Sequence, residues 1–450
     1  MNNTMDSKPT SIKALFKWLV GPAIVMTAGI MGAGSTVSLV SSGCYFKYEL
    51  LWAVLLSLPA VVVAQDTASR FGAAAGIGTM QLIDRETFIG LKWIVLTPML
   101  FGATFANIGQ LGAMSAAVVN FINLAAGKTL ITTSPSTMAN MLLYLPLAVF
   151  TILVNAFGGY KRIEKLFAYL LVIVLFSFLI VAVQAFLHYN EIIQMFKGLV
   201  PHLPTDLVGQ TAEGESVKRS SIIFFAAIIG GGIAATAILS YPYFMKEGGY
   251  DKSNIQKQFK KHLMTYGLLF GIYSVILLVA GGFALNGQPG YAGFQGARTM
   301  GMALQSVLGP VGTVFFSLGL FICGYTTLTV VAQLCSYFIL DAIGKDWRFT
   351  KENKLFLVPF LSFILVPAFI GAFWHYPNML KVVIGMVFGS IITPTSIFLL
   401  LYLANKKSLM GDLKASVTRN IFLLYTLILT LFTGIHGFIG FWRNFSEIFK

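Results

Sequence analysis

Long apolar runs separated by short polar segments dominate the chain. They fall at about 17–42, 50–75, 93–125, 139–157, 164–188, 220–245, 263–286, 306–341, 355–374, 379–403 and 420–442, each long enough for a bilayer-crossing helix of roughly 20 residues. The pattern predicts an all-α polytopic membrane protein with eleven spans. The longest polar interruption, residues 189–219, carries Pro201, Pro204, Glu213 and Glu215 and divides the first ten spans into two groups of five. Five is odd, so the two groups enter the membrane in opposite directions, which is the arithmetic of an inverted repeat. The expected organisation is a tail over 1–16, a first repeat over 17–188, the connecting loop, a second repeat over 220–403 and an eleventh helix over 420–442. The opening stretch, MNNTMDSKPTSIKALFKW, is polar and reads as a tail, not a cleaved leader.

Spans one and six open the two repeats, and both are rich in glycine. Span one holds Gly29, Gly32 and Gly34 followed by Ser35 and Thr36, and span six holds Gly230, Gly231 and Gly232 followed by Thr236. Each glycine costs up to about 1 kcal/mol relative to alanine inside a helix. Interruptions at matching positions of two repeats point to a transporter's binding site, because unwound backbone in a bilayer must face protein or a cavity. The competing explanation is close helix packing of the small-xxx-small kind.

Charge supports the same picture. Charged residues are only 11% of the 450, and hydrophobic residues 56%, which excludes an ordinary soluble enzyme or a disordered chain. The net charge of +14 fits basic loops on one side of a membrane and needs no nucleic-acid partner. With the N-terminus inside, the outer segments hold Lys47, Lys128, Lys197, Lys218, Arg219, Arg298, Lys381, Arg443 and Lys450, fewer than a third of the 31 basic residues. The topology expected is therefore a cytoplasmic N-terminus and an external C-terminus, in a membrane of the bacterial inner type. Cys44, Cys323 and Cys335 have no metal-type spacing. No catalytic motif and no nucleotide-binding loop occurs, so neither enzyme activity nor a cofactor is expected.

Several landmarks occur in order: Gly21-Pro22 opening span one, Leu50-Leu51-Trp52 opening span two, Gln65 and Arg70-Phe71-Gly72 ending it, Tyr160-Lys161-Arg162-Ile163-Glu164 opening span five, Leu199-Val200-Pro201 after it, Gly319-Leu320 with Gly324-Tyr325-Thr326-Thr327 in span eight, and Pro394 in span ten. In these the chain resembles the natural resistance-associated macrophage protein (Nramp) family of proton-coupled divalent-metal transporters. The resemblance implies a LeuT-type fold of two five-helix inverted repeats plus an eleventh helix, and alternating access around a site between broken helices one and six. The family's Asp-Pro-Gly-Asn signature is replaced by Gly32-Ala33-Gly34-Ser35, and its Met-Pro-His signature by Ala234, Ala235 and Thr236. Acidic residues expected in the third helix are absent, leaving Asn107 and Gln110.

Those replacements leave an inferred site without formal charge and without metal ligands, where a dehydrated divalent cation is costly. The substrate positions expected are Gly32, Ala33, Gly34, Ser35, Gly231, Gly232, Ala234, Thr236 and Tyr325, with hydroxyls also at Thr36, Ser38 and Ser240 and walls at Phe225 and Tyr241. Resemblance points to a metal ion; the residues point at least as well to a small polar organic solute, amino-acid or organic-acid like. Coupling to a proton or sodium ion would use Asp66, Arg70, Asn107, Gln110, Thr326 or Thr329 as gating or coupling groups, although Asp66 and Arg70 also read as an i,i+4 structural pair at a helix end. A channel or a non-transporting sensor on the same scaffold is the alternative.

Overall fold

The computed structural model describes residues 22–448 apart from 89, 133–135, 157–174, 211–213, 215 and 351. The tail over 1–16, Gly21, the Tyr160–Glu164 landmark, Glu213 and Glu215 lie outside the described residues. Nine helices among those described are long and apolar enough to cross a membrane, or ten with the bent pair α7/α8. The helices that build the fold, long and short, are in order α1 (Pro22–Ile30), α2 (Ala33–Phe46), α3 (Leu51–Ala75), α4 (Thr79–Glu86), α5 (Leu91–Ala126) and α6 (Thr137–Ala156). Then come α7 (Leu175–Phe186) and α8 (Tyr189–Lys197), meeting at 100°. The second half comprises α9 (Ser221–Gly232) and α10 (Ala235–Glu247), α11 (Lys252–Ala284), and α12 (Gly312–Ala342), α13 (Leu357–Phe373), α14 (Asn378–Ala404) and α15 (Val417–Arg443). The connecting loop is more ordered than expected. It holds α8 and a hairpin of β1 (Leu207–Gln210) and β2 (Ser216–Arg219), antiparallel with Leu207 opposite Arg219.

The chain crosses itself in the way an inverted repeat requires. Spans one and six are each two half-helices, α1/α2 and α9/α10. The second half of the first, α2, packs on α11, and the second half of the other, α10, packs on α3. These contacts exchange when the repeats exchange. Glycine seams let backbones touch, as is common where helices pack in lipid. A Cβ on Gly109 of α5 would lie 2.8 Å from Val382 Cα of α14, and one on Gly281 of α11 would lie 2.5 Å from the Val40 carbonyl of α2. Helix α3 stops at Gly76, whose φ of +63° is the left-handed closure glycine adopts readily. The short helix α4 is capped from afar: Asp341 of α12 accepts from the Met80 and Gln81 amides at 2.7 and 3.2 Å and from the Tyr243 hydroxyl of α10 at 2.6 Å.

One assignment made from charge is corrected. Lys381, inside the expected span 379–403 but counted with the outer charges, sits in the first turns of α14 and is fully buried. An apolar helix reads the same whether its single lysine faces water or protein.

Candidate functional site

Both breaks occur, but not on the glycine triplet. The chain leaves the helix at Met31-Gly32 and again at Ile233-Ala234, where Ile233 has φ −112°, ψ 67° and Ala234 φ −80°, ψ 126°. Gly230, Gly231 and Gly232 remain helical. Their role is approach: a Cβ on Gly230 would strike the Met386 carbonyl of α14, and one on Gly32 would strike the Thr327 hydroxyl of α12.

Unwinding frees carbonyls that lipid cannot satisfy. Side chains reach most of them. Ser35 donates to Ile30 O at 2.7 Å and lies 3.4 Å from Gly231 O, linking the two broken helices. Thr393 of α14 donates to Ile233 O at 2.7 Å, and Tyr273 of α11 reaches Met31 O at 3.5 Å.

A cavity of about 90 Å³ lies between the breaks, room for several waters at roughly 10–15 Å³ each. Gly32, Gly34 and Ser35 line it from the first broken helix, and Gly231, Ala234 and Thr236 from the second. Helix α5 contributes Gln110 and Met99, α12 contributes Thr327, Val330, Val331 and Leu334, and α14 contributes Met386. The first turns of α2 and α10 therefore face it with N–H groups that have no acceptor within their own helices, and the ends of α1 and α9 face it with carbonyls. Gln110 is fully buried, and neither its amide oxygen nor its nitrogen has a protein partner; the Thr327 hydroxyl has none either. Among the described residues, no cavity-lining side chain is ionisable. Among the described residues, no group of three His, Cys, Asp or Glu side chains could hold a metal ion.

Other expected positions lie elsewhere. Ala33 and Gly232 are buried beside the cavity but do not line it. Tyr325 and Thr329 face α6, where the Asn155 amide stands 3.4 and 3.3 Å from their hydroxyls. Thr326 bonds to its own helix carbonyls at Ile322 and Cys323. Asn107 donates to Phe363 O of α13 at 2.7 Å. The reason is rotation about α12: Thr327, Val330, Val331 and Leu334 form one i, i+3, i+4, i+7 stripe, and Tyr325 and Thr329 fall on the opposite side. That stripe was the signal available for Thr327. Phe225 stacks on Trp52 with ring centroids 5.0 Å apart, and Tyr241 bonds to His262 at 2.6 Å, so neither walls the cavity.

Asp66 and Arg70 do pair, at 3.0 Å, but as half of a larger cluster. Arg419 of α15 reaches the same Asp66 oxygen at 2.5 Å, and His262 of α11 approaches the other at 3.3 Å. His262 and Tyr241 carry the chain of contacts on to α10. Arg419 and His262 are far from Asp66 in sequence, and no local pattern could have joined them.

A helical bundle with two broken helices facing each other across a central cavity defines a membrane transporter of the LeuT-like fold. The family model described as "Natural resistance-associated macrophage protein-like" matches residues 23–439. The chain belongs to the Nramp family. It is 23% identical over 442 residues to the divalent metal cation transporter MntH of Levilactobacillus brevis, covering 91% of this chain and 87% of that one. It is likewise 23% identical over 471 residues to MntH of Staphylococcus saprophyticus subsp. saprophyticus, covering 100% and 97%. Among solved structures, a variant of the Eremococcus coleocola manganese transporter superposes with a TM-score of 0.69 at 18% identity, covering 96% of this chain and 90% of that one. MHP1, a nucleobase-cation-symport-1 family transporter solved with bromovinylhydantoin bound, superposes with a TM-score of 0.50 at 13% identity, covering 95% and 93%.

Proposed function

We propose that this protein is a secondary transporter that carries a small polar organic solute, not a bare divalent cation, through the cavity between the two broken helices. The observation that carries the reading is the donor set. The cavity offers two helix starts whose first N–H groups have no acceptor within their own helices, two helix ends, the Ser35, Thr236 and Thr327 hydroxyls and the unpartnered Gln110 amide. Helix starts favour negative groups and helix ends positive ones. Together they suit a dipolar molecule, such as an amino acid, whose apolar part would rest on Met99, Val330 and Met386. A divalent ion would find no carboxylate to offset its lost hydration. Alternating access, with the bundle containing α1/α2 and α9/α10 rocking about this cavity, completes the reading. The orientation proposed keeps the N-terminus in the cytoplasm.

The relatives' names favour a second reading, divalent-metal transport. Calorimetry of the purified protein with Mn²⁺ and Mg²⁺, alongside thermal-shift screening against amino acids and small organic acids, separates the two. A solute that raises Tm, with flat metal titrations, is the expected result. Saturable Mn²⁺ or Mg²⁺ binding with no response to any solute would overturn the proposal.

A further inference from the structure

Among the described residues, Lys381 is a lysine with neither solvent nor a counter-ion. Its side chain is fully buried on α14, one helical turn before Gly385, which lines the cavity. The Nζ atom donates to the Tyr144 hydroxyl of α6 at 3.2 Å and to the Gly371 carbonyl of α13 at 3.1 Å. It lies 5.1 Å from the Tyr144 ring centroid and 5.9 Å from that of Trp374. Among the described residues no carboxylate stands within 4.0 Å of it. The elements packed around it bring little charge. Helix α5 presents Gly109 and Gly112, α6 presents Tyr144, and α13 presents Gly371. Asn378, which accepts from Tyr144 at 2.8 Å and donates to Ser115 at 3.0 Å, is neutral. Among the described residues, Tyr144 is the one titratable side chain hydrogen-bonded to the amine. Helices α2, α9 and α15 touch α14 farther along, at Met386 and Ser390.

We propose that Lys381 is a proton-binding site, and that its protonation state biases α14 at the wall of the transport cavity. Three facts support this. An intramembrane ionisable side chain is costly to keep and marks ion pathways in transporters. Both of its hydrogen bonds survive loss of the proton, because a neutral amine still has two N–H groups for Tyr144 and Gly371. Only the third N–H, facing the aromatic rings, distinguishes the two states; the ammonium gains cation–π attraction there and the amine sheds a buried charge. Gly385 and Met386, about one turn farther on the same helix, line the cavity, so a rearrangement about the amine is transmitted along α14. The proton comes from water and returns to it, with no other reactant. Proton binding itself is independent of the cargo; its coupling to the cavity rests on the transporter reading.

Trp374 provides the probe. In nanodiscs, its emission, obtained by subtracting the spectrum of Trp374→Phe, is expected to follow a one-proton titration between pH 5 and pH 10. Lys381→Met is expected to abolish that titration, and Lys381→Arg, whose guanidinium stays charged throughout, to abolish it as well. Tyr144→Phe, which keeps the lysine, is expected to move the midpoint. An emission that does not titrate, or a titration that persists in both lysine variants, overturns the site. For coupling, Thr236→Cys is placed in a background where Cys44, Cys323 and Cys335 are replaced by alanine. The pH profile of its labelling by a neutral maleimide is expected to differ between protein with Lys381 and protein with Lys381→Met. Identical profiles, with the fluorescence titration intact, would leave a proton site that does not communicate with the cavity and would refute the coupling alone. Neither readout uses a cargo, so failure to find an organic substrate leaves both results standing.

Discussion

Removing the Asp66 carboxylate tests the charge cluster that ties α3, α11 and α15 together. In Asp66→Asn the arginines at 70 and 419 lose their shared counter-ion. Their nitrogens lie 3.0 and 2.5 Å from one oxygen of Asp66, so they can be no more than 5.5 Å apart. At an effective dielectric of about 20, two unit charges at that separation repel by roughly 3 kcal/mol. Loss of a buried partner elsewhere costs about 3–5 kcal/mol, and the two figures agree. At about 2.1 cal/mol/K of unfolding entropy per residue, a chain of this size would lose about 3–5 °C in Tm. The assay is thermal unfolding in detergent at one fixed scan rate, since membrane proteins unfold irreversibly. Adding Arg419→Met to Asp66→Asn should restore part of the loss, because it removes one of the two repelling cations. The reasoning is refuted if Asp66→Asn unfolds within a degree or so of the parent, or if the second substitution makes matters worse.

Gly34→Val should abolish any solute-dependent stabilisation, because even a Cβ there stands 2.5 Å from Met386 Sδ inside the cavity; an unchanged thermal shift would place the solute elsewhere. Asp341→Ala strips acceptors from the Met80 and Gln81 amides and the Tyr243 hydroxyl and should cost about 1–3 kcal/mol. Faster hydrogen exchange confined to α4 is the measurement; unaltered exchange in α4 would contradict the cap. His202, in the loop after α8, has its imidazole raised above its ordinary value, first by the Val200 carbonyl and then by Glu49. A group raised on folding stabilises below its unfolded value and loses that contribution as pH rises through the folded one. Histidine-labelled NMR should find a midpoint above 6.5 for His202, and Glu49→Gln should lower it; a midpoint at or below 6.5 would contradict the contact.

What could be read along the chain was what depends on order and hydrophobicity. The five-and-five division and the pairing of spans one and six follow from run lengths and glycine positions, since a bilayer permits few other arrangements of such runs; against the eleven spans expected, nine or ten apolar helices stand among the described residues. Gly32, Gly34, Ser35, Gly231, Ala234 and Thr236, read as substrate positions from those landmarks, line the cavity, as does Gln110, which was read as a gating or coupling group. Tyr325, read as a substrate position, and Thr326 and Thr329, read as gating or coupling groups, lie off the cavity, and a uniformly apolar helix gives no sign of which face meets it. The breaks fell beside the glycines, at Met31-Gly32 and Ile233-Ala234, because the triplet was needed for contact with α14. The encounter of Asp66 with Arg419 and His262, and the isolation of Lys381 among Tyr144, Gly371 and Trp374, were decided only when distant helices packed. Sequence alone determined that this chain crosses a membrane in two opposed repeats and that its first and sixth spans carry no aspartate, glutamate or histidine. Tertiary structure decided which polar groups meet, because the energy of a buried charge depends on the neighbours that packing brings to it, and those neighbours lie hundreds of residues away.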